Sequence, residues 1–242
     1  MYKPQSISVA AGQRTDDYAS RMLALKIDLI REYCGTGILV DVCCSTGQQL
    51  AELAPGHRLA VGIDFSMPFL EHGRPAGRAA HVHLVCGNAR ALPLGTGSID
   101  GAYSLSSLYH IPDVGAVIAE IGRVLRPGRR CLLDMGNRRS FNNIVCLAYP
   151  ELAAPCHVRL DEMFAMIRSA GMRILVHRSF QILPMWGDRP RSLKWLLAPG
   201  WIRWLAKRVG GRMLDEWISS LPFVRRYAFR QVFVCERVAN DG

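Results

Sequence analysis

The sequence lacks several features that define other protein classes. None of its apolar runs approaches the length of a membrane-spanning helix, and Met1 to Arg14 lacks the charged and then apolar pattern of a secretory signal. It contains no internal repeat and no low-complexity tract. These absences argue against an integral membrane protein, a repeat protein and a disordered chain. We expect a cytoplasmic protein whose 242 residues form one well-buried domain.

The cysteine spacing excludes a further group of proteins. The eight cysteines include no C-x-x-C pair, so no zinc site is predicted. Cys34, Cys86, Cys131 and Cys235 lie in or beside apolar segments, which favours reduced thiols in the core over disulfides. We expect no metal site.

The positive charge is concentrated in one part of the chain. The net charge is +10, and the segment from Met185 to Arg230 holds ten Lys or Arg but only three Asp or Glu. We predict a basic helical insert at about 185–226, with short helices broken at Pro199-Gly200 and Gly210-Gly211. All five tryptophans of the chain lie in it: Trp186, Trp195, Trp201, Trp204 and Trp217.

Three roles are open for this insert. The favoured interpretation is a lid, with the tryptophans packed over the active site and the cations solvated. Alternatively, residues 191–218 make a weak peripheral contact with an anionic membrane, because Trp and Leu opposite Lys and Arg are typical of interfacial helices. A nucleic-acid surface is the third interpretation.

The central stretch of the sequence is Gly37 to Leu50, GILVDVCCSTGQQL. Its apolar, β-branched run followed by small residues predicts a buried strand, a tight loop and the first turn of a helix. In nucleotide-binding α/β folds such a loop brings backbone N–H groups against a ligand. The stretch contains neither G-x-G-x-x-G nor the Lys-Ser or Lys-Thr pair of a phosphate loop. The first site candidates are Asp41, Cys43, Ser45 and Gly47, and we expect that neither Cys43 nor Ser45 needs a positive φ.

A second strand, Arg58 to Asp64, ends in an acid. Asp64 lies seventeen residues after Gly47, near the spacing at which an acid after the second strand accepts hydrogen bonds from ribose hydroxyls. The alternative is that Asp64 caps the helix that begins near Pro68.

The remaining pattern alternates between strands and helices. Val82–Gly87 predicts a third strand followed by GNARALPL, and Ser98–Leu105 predicts a fourth followed by SSLYHIPD. A fifth strand follows the turn in RVLRPGRRCLLDM. Other predicted elements are helices over Asp17–Tyr33, Gln48–Ala54, Val114–Leu125 and Leu160–Ala170, and strands over Arg173–Phe180 and Tyr227–Val238.

The motifs taken in order resemble those of class I S-adenosylmethionine (SAM) methyltransferases. The order D-V-x-C-x-T-G, G-I-D-F-S, G-N-A-x-x-L-P-L, S-I-D-x-x-x-S-x-x-x-L-Y-H-I-x-D and E-I-x-R-V-L-R-P-G is similar to that of the type 11 small-molecule group, with a distant similarity to quinone-ring methyltransferases. The resemblance implies a Rossmann-like α/β fold with a seven-stranded sheet, an antiparallel last strand and helices on both faces. It divides the chain into an N-terminal helical cap, residues 1–34, and a methyltransferase domain, residues 35–242.

The same resemblance implies SAM as the cofactor and assigns residues to it. Asn88 is expected to reach the adenine amino group and Ala89 to offer its backbone N–H to the ring. The full set of cofactor-binding candidates is Asp41, Cys43, Ser45, Gly47, Asp64, Phe65, Asn88, Ala89 and Leu105.

Two residues after the fourth strand are the catalytic candidates. His110 and Tyr109 lie where this fold presents groups to the acceptor, and His is the natural base near neutral pH. The alternative for His110 is a helix-start or packing histidine. Tyr18, Asn137 and Arg138 are weaker candidates for lining the pocket.

The expected reaction is methyl transfer to a small molecule, at a hydroxyl or activated carbon of a sugar, a lipid-linked group or a secondary metabolite. Leu105-Ser106-Ser107-Leu108 stands where base N-methyltransferases carry Asn/Asp-Pro-Pro-Tyr/Phe, which argues against nucleic acid as a partner. A non-catalytic SAM-binding regulatory protein and an RNA-directed methyltransferase are the alternatives.

Overall fold

The computed structural model of the chain describes residues 17–73, 79–143, 156–183 and 199–239. Its helices are α1 Asp17–Tyr33, α2 Gln48–Leu53, α3 Met67–His72, α4 Val114–Val124, α5 Leu160–Ser169, α6 Pro199–Leu205 and α7 Leu214–Ser219. Its longer strands are β1 Ile38–Val42, β2 Leu59–Asp64, β3 Val82–Cys86, β4 Ile99–Ser104, β5 Leu125–Gly136, β6 Met172–Phe180 and β7 Arg230–Arg237. Short 3-10 turns cover Leu108–His110 and Val224–Arg226, and Arg208–Val209 pairs with Arg212–Met213 as a small hairpin.

The longer strands form one seven-stranded sheet in the order β3-β2-β1-β4-β5-β7-β6. Strands β1 to β5 pair in parallel, whereas β7 is antiparallel to both β5 and β6. This arrangement confirms the predicted Rossmann-like fold and the antiparallel last strand. Strand β1 lies between β2 and β4, so the chain order reverses there, and a ligand crevice is expected at the carboxyl ends of these strands.

Alternate residues of the sheet enter two hydrophobic cores, one on each face. In β1, Val40 packs with α4 and α5, while Leu39 packs with α1 and α2. The apolar residues of α4 at Val117, Ile118 and Ile121 are fully buried, as the helical spacing predicts. The sheet is therefore covered by helices on both faces.

Helix α1 contributes to the hydrophobic core that contains Leu39. Its apolar residues Met22, Leu25, Leu29 and Ile30 are buried, and the helix packs against the central strands of the sheet. The basic insert packs onto the same helix, because Arg21 donates to the carbonyl of Ala206 at 2.9 Å. The described residues contain no helix that is both long and apolar enough to cross a membrane.

The helical break predicted at Gly210-Gly211 is confirmed, because these residues form the turn of the small hairpin between α6 and α7, with both φ angles positive. Pro199 begins α6, in keeping with the tolerance of proline in a first helical turn. The favoured lid interpretation is wrong for the three described tryptophans, whose exposed fractions are 52%, 42% and 47%: Trp201, Trp204 and Trp217. Residues 184–198, with Trp186 and Trp195, lie outside the described residues.

The cysteines of the described residues are free thiols. Cys34, Cys131 and Cys235 are buried as expected. Cys86 is exposed, so its assignment to the core is wrong. It lies on β3, which among the described residues is an edge strand of the sheet that has β2 as its single neighbouring strand.

Candidate active site

The loop between β1 and α2 is held in a left-handed backbone conformation at three positions. The φ angles are 66° at Cys43, 52° at Ser45 and 68° at Gly47. The expectation that Cys43 and Ser45 need no positive φ is therefore wrong. A residue with a Cβ in this region costs about 1–3 kcal/mol, so the loop stores strain at the edge of the ligand crevice.

Backbone hydrogen bonds fix the loop against β2. The N–H groups of Cys43 and Cys44 donate to the carbonyl of Ile63 at 2.8 and 3.2 Å, and the Gly47 N–H donates to the carbonyl of Cys44 at 2.8 Å. A Cβ at Gly73 would collide with the carbonyl of Thr46, so this glycine allows α3 to approach the loop. The loop is thus supported both by the sheet and by a helix.

Asp64 connects this loop to the next one. Its Oδ2 accepts the Ser45 N–H at 2.8 Å and its Oδ1 accepts the Ser66 N–H at 2.9 Å. A carboxylate oxygen has two lone pairs, so each oxygen keeps acceptor capacity for a ligand hydroxyl. The ribose role of Asp64 remains a prediction, and the two backbone contacts give the residue a structural role beside it.

A large cavity opens over this edge of the sheet, with a volume of about 830 Å³. Asp64 and the exposed ring of Phe65 form one wall, and Asn88 and Ala89 after β3 form another. The side-chain oxygen of Asn88 accepts the N–H of Arg90 at 3.0 Å, which fixes the orientation of its amide. This cavity brings together six of the predicted cofactor residues: Cys43, Ser45, Asp64, Phe65, Asn88 and Ala89.

A second cavity, of about 510 Å³, lies between the sheet edge and α1. It is lined by Asp41 and Leu105 from the strand ends and by Met22 and Leu23 from the helix. The two cavities adjoin, because five residues contribute to the lining of both: Cys43, Ser45, Ser106, Ser107 and His110. Gly47 lies just beyond, where it caps the N-terminus of α2.

The two catalytic candidates differ in exposure. His110 is exposed and lines both cavities, while Tyr109 is 5% exposed and lines the smaller one. Partial desolvation and the nearby Arg230 lower the pKa of His110, so its imidazole is neutral and able to accept a proton at neutral pH. Burial raises the pKa of Tyr109, which therefore keeps its proton. Of the two, only His110 has the charge state of a base.

Asp41 is 3% exposed, and burial raises its pKa to about 8. Its carboxyl group is therefore mostly protonated at neutral pH and contributes little negative charge to the smaller cavity.

A buried charged cluster at the smaller cavity was missed by sequence reasoning. The Lys26 Nζ lies 2.7 Å from Oδ2 of Asp134, and the Arg230 guanidinium lies 3.4 Å from the same oxygen. Ser106 donates its N–H to that oxygen at 3.0 Å. A charged residue at an otherwise apolar position is the sequence feature that could have predicted this cluster. Lys26 is on the buried face of α1, and Asp134 and Arg230 are within buried strands.

Comparison with known proteins identifies the family of this chain. The family described as "Methyltransferase domain" matches residues 40–133. A demethylmenaquinone methyltransferase of Roseiflexus castenholzii is 31% identical over 170 residues, which are 60% of this chain and 71% of that protein.

The chain belongs to the SAM-dependent methyltransferases.

Two further matches agree with this assignment. An O-methyltransferase of Penicillium expansum is 34% identical over 144 residues, or 57% of this chain and 52% of that protein, so the chain spans about half the length of this relative. The structure of a SAM-dependent methyltransferase from Mesorhizobium loti has the same fold, with a TM-score of 0.62 at 16% identity, covering 90% of this chain and 100% of that one.

The residues of this methyltransferase fit SAM as its cofactor. The larger cavity offers the Asp64 carboxylate for hydroxyl groups, the apolar ring of Phe65 for a base and the Asn88 amide for polar ring atoms. Its volume lies within the usual range of about 300–1,000 Å³ for sites that bind small molecules and cofactors.

The weaker pocket candidates of the methyltransferase have structural roles instead. The Tyr18 hydroxyl donates to Asp215 at 2.6 Å, and the buried Asn137 amide donates to the carbonyls of Arg226 and Ala228. Arg138 pairs with Glu162 at 3.0 Å. These three residues are not among those that line either cavity.

Proposed function

We propose that this methyltransferase transfers the methyl group of SAM to an oxygen or an activated carbon of a small molecule that binds in the smaller cavity. The observation that carries the proposal is the common wall of the two cavities. Ser106, Ser107 and His110 line both of them, so a cofactor in one and an acceptor in the other would meet at these residues.

The larger cavity is proposed to take the adenosyl part of SAM. Asp64 would accept hydrogen bonds from the ribose, Phe65 would cover the adenine, and Asn88 with Ala89 would bind the adenine edge. Asp41, Cys43, Ser45, Gly47 and Leu105 would surround the methionine part. SAM supplies a methyl group on a sulfonium, whose displacement depends mainly on alignment with the acceptor.

His110 is proposed as the general base for a hydroxyl acceptor, and its neutral imidazole at the cavity junction supports this role. Tyr109 would position the acceptor, since its hydroxyl keeps its proton. Hydroxylated sugars, lipid-linked groups and secondary metabolites are the proposed acceptors, and the names of the fungal O-methyltransferase relatives support an oxygen acceptor.

The first test is calorimetric titration with S-adenosylhomocysteine (SAH). Binding is expected, and absence of binding at millimolar SAH would contradict the proposal. The second test incubates the protein with labelled SAM and fractionated small-molecule extracts. A labelled product identifies the acceptor, whereas SAH binding without any turnover would favour a regulatory SAM-binding protein.

The role of His110 is tested by His110→Gln, which is expected to lower turnover of the labelled product without weakening SAH. His83 is exposed on β3 and lines neither cavity, so His83→Gln is the matched control. Equal turnover by both variants would remove His110 from the chemistry.

We also propose a weak contact between the insert and anionic membranes. Trp201 and Trp204 are exposed on α6 and lie edge to face with ring centres 6.0 Å apart, and Arg203 and Lys207 are exposed nearby. Exposed tryptophans beside cations support an interfacial position.

A further inference from the structure

The buried cluster at the smaller cavity contains more positive than negative charge. Lys26 and Arg230 both contact Oδ2 of Asp134, and the side chains of Lys26 and Asp134 are 2% and 0% exposed. One carboxylate between two cations leaves one positive charge without a partner in this cluster. Desolvation is expensive for such a charge, so the arrangement favours a further anion nearby.

Both cations line the smaller cavity. Lys26 and Arg230 lie in its wall together with Ser106, Tyr109 and His110. The Arg230 guanidinium stacks on the Tyr109 ring at 4.4 Å, which holds it at this wall. The two cations therefore lie beside the proposed acceptor, in the smaller cavity, whereas Asp64 lines the larger one.

The other titratable groups at this cavity do not neutralise the cluster. Burial raises the pKa of Asp41 to about 8 and lowers that of Lys26 to about 8, so Asp41 is mostly neutral and Lys26 mostly charged at neutral pH. His110 is neutral and Tyr109 keeps its proton. Asp215 does not line the cavity, and its oxygens accept hydrogen bonds from Tyr18, Gln181, Ile182 and Ser219.

We infer that Lys26 and Arg230 form a cationic subsite that binds the acceptor as the oxyanion of an acidic hydroxyl, a phenolate or an enolate. The apolar wall that Met22 and Leu23 form in the same cavity suits a flat conjugated ring more than a sugar. The inference rests on the proposed methyl transfer and narrows its substrate class.

With an oxyanion as the acceptor, methyl transfer needs no general base. The acceptor oxyanion forms a bond to the methyl carbon while the carbon–sulfur bond breaks, and the electron pair of that bond stays on sulfur. The negative charge of the oxygen and the positive charge of the sulfonium disappear together, and no proton is transferred in the step. His110 would be needed only when the acceptor arrives with its proton.

The test uses 4-nitrophenol as the probe, with the full-length protein saturated with SAH. The phenolate is yellow, so its absorbance against pH reports the pKa of the bound probe. An adjacent cation should lower that pKa by about one unit, which is about tenfold tighter binding of the phenolate than of the phenol. The neutral analogue 4-nitroanisole is expected to compete weakly.

Variants separate charge from structure. Arg230→Gln should reduce the preference for phenolate to about threefold or less, while Arg230→Lys should keep most of it because the charge remains. Arg173→Gln is the matched control, since Arg173 is exposed on β6 and lines neither cavity. Circular dichroism checks that each variant is folded, and the probe titration of the unaltered protein tests the inference without any variant.

The outcomes are distinct. Failure of the unaltered protein to bind SAH contradicts the proposed function itself. Normal SAH binding with no probe binding, or with equal affinity for nitrophenolate and nitroanisole, overturns the cationic subsite. If Arg230→Gln weakens SAH more than the phenolate, the cations bind the methionine carboxylate of the cofactor and the inference is also overturned.

Discussion

Replacement of Ser45 by glycine is expected to stabilise this methyltransferase. Ser45 has a φ of 52°, in the left-handed region. This conformation costs a residue with a Cβ about 1–2 kcal/mol, whereas glycine adopts it freely but loses about 0.5–1 kcal/mol of additional backbone entropy on folding. The difference predicts that Ser45→Gly raises the free energy of unfolding by about 0.5–1 kcal/mol.

Ser66 provides a matched control. Its backbone N–H also donates to Asp64, and it lies at the same edge of the sheet, but its φ is −93°. Ser66→Gly relieves no strain and should lower the free energy of unfolding by about 0.5–1 kcal/mol. The two substitutions are chemically identical and are expected to have opposite signs.

Urea unfolding followed by circular dichroism measures both effects, with the m-value checked for each variant. The SAH affinity of Ser45→Gly should stay within about threefold of the parent, because the hydrogen bond from residue 45 to Asp64 is made by the backbone. If Ser45→Gly loses as much stability as Ser66→Gly, the loop is not strained and the argument fails.

The remaining predictions concern the cofactor, pH and the surface. Asp64→Ala should weaken SAH by about 1.5–3 kcal/mol in calorimetry, the range for hydrogen bonds to a charged acceptor, and unchanged affinity would remove Asp64 from the ribose site. Gly47→Val should abolish SAH binding, because a β-branched residue does not fit a φ of 68°; retained binding would move the site elsewhere. Burial lowers the pKa of His177 to about 4, below its ordinary value of about 6.5, so stability should fall as the pH drops from about 6.5 to about 4. Urea unfolding should show a smaller loss of stability over this pH range in His177→Gln than in the parent. An equal loss in both proteins would mean that His177 is not its source. Sedimentation should show weak, salt-sensitive binding of the protein to anionic but not to neutral vesicles. Replacing Arg203 and Lys207 by Gln should reduce this binding by about 1 kcal/mol for each cation removed. Absence of binding at low salt would exclude the membrane role.

Most of the fold follows from patterns that lie within short stretches of sequence. The hydrophobic periods predict α1 at Asp17–Tyr33 without error and strands β2, β3 and β4 to within one residue at their ends. The prediction that the fifth strand follows a Pro-Gly turn is wrong, because β5 begins at Leu125 and includes Pro127 and Gly128. The seventh strand begins at Arg230 and not at Tyr227, because Val224–Arg226 forms a 3-10 turn that the apolar pattern does not reveal.

The site is predictable where its residues lie at the ends of predicted strands. Asp64 is the last residue of β2 and Asn88 lies two residues after the end of β3, and both line the larger cavity. The smaller cavity was harder to predict because Lys26, Asp134 and Arg230 come from distant parts of the chain, and no local motif relates a lysine in a helix to an arginine in a strand. The positive φ of Ser45 does not follow from the small size of its side chain, because size does not determine backbone conformation.

The position of β7 between β5 and β6 has a consequence for the order of folding. The residues that line the larger cavity lie between Cys43 and Pro112, so all of them are synthesised before β5 and β7. The smaller cavity needs Arg230, which contacts Asp134 across 96 residues of sequence. Such distant contacts form slowly because a large loop must close first. During synthesis the proposed cofactor cavity can therefore assemble before the proposed acceptor cavity, and the proposed methyl transfer would require that β7 has entered the sheet.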